Sequence, residues 1–64
     1  MDAKLAQLRD TIRREAKHIG RKPYSHNIVG LALQQIDREF STTDANQAIR
    51  DFKLARKGFN EVAE

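Results

Sequence analysis

The sequence predicts an all-α fold, a small antiparallel three-helix bundle, on three observations. Apolar residues recur at steps of three and four in three separate segments, and Gly/Pro and Ser/Thr punctuation divides those segments. No stretch alternates with the two-residue period of a strand, and there is no Asn-Gly or Asp-Gly hairpin turn. A chain of 64 residues is long enough for one core and too short for two, since domains below about 40 residues rarely fold alone and most exceed about 100. The expectation is a single helical domain over 1–64, with helices at about 2–19, 26–40 and 43–57 and a frayed tail at 60–64.

The first helix begins at Asp2, whose carboxylate can accept a backbone N–H and complements the positive end of the helix dipole. Leu5, Leu8, Ile12, Ala16 and Ile19 then form one stripe. Gly20 closes the helix and Pro23 prevents its continuation.

Ser25 is the expected cap of the second helix, with Tyr24 before it placed to staple to Val29. Ile28, Val29, Ala32, Leu33, Ile36 and Phe40 make a broad apolar face, so this helix should be the spine of the core. Gly30 lies away from that face and costs up to about 1 kcal/mol of helix propensity unless something packs against it. Beside it, Leu31 projects about 100° from the centre of the core face.

Ser41 and Asp44 have the spacing of a loose capping box, with Thr42 or Thr43 as equally good caps. Ala45, Ala48, Ile49, Phe52 and Ala55 then share a face, while Leu54 falls nearly opposite to it. Gly58 followed by Phe59 reads as a Schellman stop in which Phe59 folds back on Leu54.

Composition restricts the function. There are no cysteines, which removes disulfides and thiol chemistry, and the only histidines, His18 and His26, lack the spacing of a metal site. Tyr24, Ser25 and His26 are adjacent, so their side chains diverge, and no nearby carboxylate is placed to orient the histidine. No cofactor, metal or small-molecule substrate is implied, and the chain is expected not to be an enzyme. Residues 1–8 lack the pattern of an export signal, and the apolar run Ile28 to Leu33 is far short of the roughly 20 residues that span a bilayer. A soluble protein of the cytoplasm is the expectation.

The formal net charge is +3 and the pI about 9.7. Residues 1–22 carry seven Lys or Arg against three acids, a net of +4; residues 23–45 carry one against three, −2; residues 46–64 carry four against three, +1. Arg9, Arg13 and Lys17 repeat every four residues beside the first apolar stripe, and Arg21 and Lys22 extend the row into the loop. Such a row can follow a phosphate backbone. A solvated face accounts for the same residues, because Asp10–Arg14 and Glu15–His18 have the spacing of helical pairs. Arg50, Lys53 and Lys57 form a second stripe on the expected third helix, which would be the recognition helix of a helix-turn-helix, although the Ser-Thr-Thr-Asp turn lacks the usual glycine. Gly20-Arg21-Lys22-Pro23 has the composition of a minor-groove element, and also that of a helix stop with two solvated cations.

Two functions of different classes are therefore expected. One is a nucleic-acid-binding accessory or regulatory protein using Arg9, Arg13, Lys17, Arg21, Lys22, Arg50, Lys53 and Lys57; by composition it would suit a prokaryotic or viral accessory protein. The other is a protein-interaction module, a homodimer or an inhibitor or adaptor of a host or partner protein, using Gly30, Leu31 and Leu54.

Overall fold

The computed structural model describes residues 2–63; Met1 and Glu64, the two ends of the expected 1–64 domain, lie outside the described residues. Three α-helices follow in order, α1 (Ala3–Ala16), α2 (Ser25–Glu39) and α3 (Thr42–Asp51), and a 3-10 turn occupies Leu54–Lys57. The architecture is a small all-α three-helix bundle. No helix among the described residues is long and apolar enough to cross a membrane.

Asp2 caps α1, its side chain accepting from the backbone N–H groups of Lys4 and Leu5. The helix ends at Ala16, three residues before its expected end at 19, because the chain tightens there. The N–H of His18 donates to Glu15 and that of Ile19 to Ala16, both three residues back. This winding still brings Ile19 against the core. Gly20 then adopts a φ of 89°, and the backbone N–H groups of Arg21 and Lys22 both donate to the carbonyl of His18, at 2.9 Å each.

α2 begins one residue earlier than expected. Ser25 is its first residue rather than its cap; it is fully buried, and its hydroxyl donates to Glu15 at 3.1 Å. Tyr24 stands at the cap position without a side-chain cap bond and is half exposed, with the Lys22 ammonium 5.9 Å from its ring centroid. The helix is the spine of the core: Val29, Ala32, Leu33 and Ile36 are buried with Ile12 of α1, with Ala45, Ala48 and Ile49 of α3, and with Leu54. Glu15 meets Ser25 at one end of α2 and Lys4 pairs with Glu39 at the other, so α1 runs antiparallel to α2.

Ser41 is the observed cap of α3, its hydroxyl accepting from the Asp44 N–H at 3.0 Å. The expectation of one helix over 43–57 is corrected at the far end. α3 stops at Asp51, Lys53 takes a left-handed backbone with φ 55°, and a 3-10 turn follows. That bend turns Leu54 inward, and it is 0% exposed. Leu54 is therefore a core residue and not the surface leucine that an unbroken helix would make it. The stop at Gly58 has its expected form: φ is 95°, and the Phe59 N–H donates to the Leu54 carbonyl at 3.1 Å. An L side chain at Gly58 would be strained by that φ.

Residues 59–63 have no helix, yet they do not hang free. Asn46, 2% exposed, donates to the Val62 carbonyl at 2.8 Å and accepts from the Val62 N–H at 2.9 Å. This reciprocal pairing satisfies a buried amide and holds the terminal segment along α3.

Candidate nucleic-acid interface

The expected basic residues divide into those tied to carboxylates and those that are not. Arg9 reaches from α1 to the end of α3, where it pairs with Asp51 at 2.6 Å and lies over the Phe52 ring at 5.1 Å. Arg13 and Arg14 both pair with Asp10, and Arg50 pairs with Glu61 at 3.0 Å. Asp10 and Asp51 respond in the expected sense. The hydrogen bond from Arg13 holds Asp10 below the usual carboxylate range, and bonds from Arg9 and then Gln47 do the same for Asp51. At the far end, bonds from Lys4 and then Gln35 lower Glu39. Arg9, Arg13 and Arg50 are thus partly neutralised.

Lys17, Arg21, Lys22, Lys53, Arg56 and Lys57 are exposed and make no ion pair among the described residues. The fold brings Lys17, Arg21, Lys22 and Lys57 toward the end where α2 begins. α1 delivers Lys17 to the end where Ser25 begins α2, and the 17–24 loop carries Arg21 and Lys22 there. The last part of the chain arrives at the same place. Phe59 stacks on His26 with ring centroids 4.4 Å apart, and a Cβ on Gly58 would lie 3.8 Å from the His26 Nε2. Lys57 is therefore one residue from a contact with the first turn of α2.

The acids are distributed differently. Glu15, near the start of α2, is half-buried and engaged with Ser25, while Asp51 and Glu61, which flank the 53–57 segment in sequence, are held by Arg9 and Arg50. Asp2, Asp37, Glu39 and Asp44 lie at the opposite end, where α1 starts, α2 finishes and α3 starts. Lys4, paired with Glu39, and Arg38 lie at that same end.

The two expected stripes do not meet as whole rows. Asp51 faces Arg9 and its neighbour Arg50 faces Glu61, so successive positions on α3, about 100° apart, look to opposite flanks. Of the second row only Lys57 is next to a segment, Gly58–Phe59, that reaches the first turn of α2, the end that carries Lys17, Arg21 and Lys22. Because α3 stops at Asp51, Lys53 and Lys57 are not on an α-helix, and no recognition helix carries the second stripe. Arg56, which on a continuous helix would point about 100° from that stripe, is a further exposed cation without an ion pair among the described residues. Exposed Tyr24 beside Lys22 is a second addition.

Gly30 and Leu31 occupy another surface. A Cβ on Gly30 would lie 3.5 Å from the Phe59 ring, so the contact that offsets the glycine comes from within the chain. Leu31 is 64% exposed. The described residues hold no group of three His, Cys, Asp or Glu side chains placed to bind a metal. No protein-family model, curated protein or solved structure matches the chain.

Proposed function

We propose that the chain is a non-enzymatic nucleic-acid-binding accessory or regulatory protein, acting in a reducing compartment such as the cytoplasm, that seats a phosphate backbone against its basic end. The observation that supports this reading is a set of exposed cations without ion pairs, Lys17, Arg21, Lys22, Lys53, Arg56 and Lys57, whose nearest acids in sequence, Glu15, Asp51 and Glu61, are engaged with Ser25, Arg9 and Arg50.

Cations already held by carboxylates offer little to a phosphate, since part of their field is cancelled. Unpaired ones release the counterions condensed on the polyanion, which is the main driving force of sequence-independent binding. The loop bearing Arg21 and Lys22 is wound by backbone bonds to His18, so little ordering entropy is lost when it docks. Tyr24 offers a ring face to a base or sugar next to those charges. No grouping of Arg, Asn and Gln on a helix is presented for base edges, so binding is expected to tolerate sequence.

The test is fluorescence anisotropy with a labelled duplex across a salt series. If all six cations engage, log affinity falls against log salt with a slope of about −5, or about 10³-fold between 50 and 200 mM. No detectable binding at about 50 mM salt would refute the proposal.

A further inference from the structure

The unpaired cations do not line a helix. Lys4, Arg9, Arg13 and Arg14 on α1 and Arg50 on α3 are each paired with a carboxylate, so Arg38 of α2 is the only Lys or Arg on an α-helix without an ion pair among the described residues. Lys17, Arg21 and Lys22 lie on the connection from α1 to α2, and Lys53, Arg56 and Lys57 lie beyond the end of α3. A duplex groove is entered by a helix or ribbon that carries its contacts in a row, and no α-helix among the described residues supplies such a row of free cations. The connection from α1 to α2 supplies a ring instead. Tyr24 is 51% exposed, makes no side-chain cap bond, and has the Lys22 ammonium over its ring, 5.9 Å from the centroid. His26 is exposed too, but its ring is already stacked on Phe59, whereas Tyr24 has no aromatic partner among the described residues.

We propose that the ligand of this end is single-stranded nucleic acid, and that Tyr24 stacks on one of its bases while Arg21 and Lys22 meet the adjoining phosphates. The inference rests on the nucleic-acid reading above and names the form of the polymer that is bound. A single strand exposes the flat faces of its bases, whereas a duplex keeps them stacked inside. Stacking on a ring beside cations tolerates any sequence, because every base has a π face. That suits a chain in which the free cations sit on connections and not on a base-reading helix.

Charge and ring predict opposite preferences. Charge alone favours the duplex, whose denser phosphates release about 0.9 counterion per contact against about 0.7 for a single strand. The ring favours the single strand, by about 5- to 150-fold for one stacked base. The backbone around the ring is set before any ligand arrives. The N–H groups of Arg21 and Lys22 donate to the His18 carbonyl, that of Ser25 donates to the Lys22 carbonyl at 3.2 Å, and that of Ile28 to the Tyr24 carbonyl at 3.0 Å. Only side chains remain to be ordered on binding, which limits the entropy lost.

Tyr24 is the only tyrosine and the chain has no tryptophan, so its emission reports on this ring without any substitution. In a titration of the unmodified chain at about 50 mM salt, an oligothymidylate of about 12 nucleotides should quench that emission and bind more tightly than a duplex of the same length. An oligouridylate of that length should do the same, and the tighter of the two tells DNA from RNA as the source. An abasic oligomer of equal charge should bind more weakly than the oligothymidylate and leave the emission unchanged. Tyr24→Ala, which removes no cap bond, should lose about 5- to 150-fold of the single-strand affinity. Its duplex affinity should change by less than about twofold, because no charge is removed, and Tyr24→Phe should keep both affinities. A duplex bound at least as tightly as both single strands, single-strand binding without quenching, an abasic oligomer bound as tightly as the oligothymidylate, or equal losses of Tyr24→Ala on single strand and duplex would each overturn this proposal and leave the nucleic-acid reading standing. Absence of binding to every one of these polymers would refute both.

Discussion

Ile36→Ala should leave little folded protein at physiological temperature. Ile36 is 0% exposed and lies on the spine helix, in the same cluster as Ile12 of α1, Ile49 of α3 and Leu54 beyond it. Truncating a buried isoleucine removes transfer energy and leaves a cavity, together about 2–5 kcal/mol. The whole margin is comparable, because a core of this size supplies only about 3–5 kcal/mol. Urea unfolding followed by far-ultraviolet circular dichroism should show a large loss of midpoint or no folded baseline. An unchanged midpoint would mean that α2 is not the element around which the other helices pack.

The second large effect concerns binding. Replacing Lys53, Arg56 and Lys57 together by glutamine should lower affinity for duplex DNA at about 50 mM salt by more than 100-fold and bring the salt slope to about −3. Replacing Arg13, Arg14 and Arg50 by glutamine removes the same formal charge from residues already paired with Asp10 and Glu61. That variant should bind within about tenfold of the original, because only screened, longer-range terms change. Equal losses in the two variants would mean that net charge, and not its placement, governs binding. None of the six residues is buried, so both variants should retain the fold.

Much of the fold was legible because helical signals are local. Asp2 and Ser41 are caps by side-chain chemistry, and the core stripes follow from the 3.6-residue period. The misread features depend on tertiary context. Lys53 is an ordinary helix former by propensity, and only the packing of Leu54 into the core explains its left-handed backbone. On a continuous helix Leu54 falls on the outer side and Arg56 outside the basic stripe. Ser25 reads as a cap from sequence, but a bond to Glu15, ten residues earlier, draws it inside the helix and into the core. Asn46 and Val62 carry no mutual signal across sixteen residues, so the tie that holds the terminal segment could not be anticipated.

Of the candidate site, the positive character of Lys17, Arg21, Lys22, Lys53 and Lys57 was legible. Which of the eight expected cations stay unpaired was not, because Arg9–Asp51 and Arg50–Glu61 join residues that are distant in sequence. Gly30 carried a usable hint: a glycine inside a helix, away from the core face, marked the contact made by Phe59.

The claim that the basic end is the binding surface is tested most directly by amide chemical-shift mapping of the labelled chain titrated with a short duplex. Shifts should concentrate at residues 17–24 and 53–59 and be negligible around Asp37, Thr42 and Asp44. Shifts confined to Leu31 and Val62, or spread evenly over both ends, would contradict it.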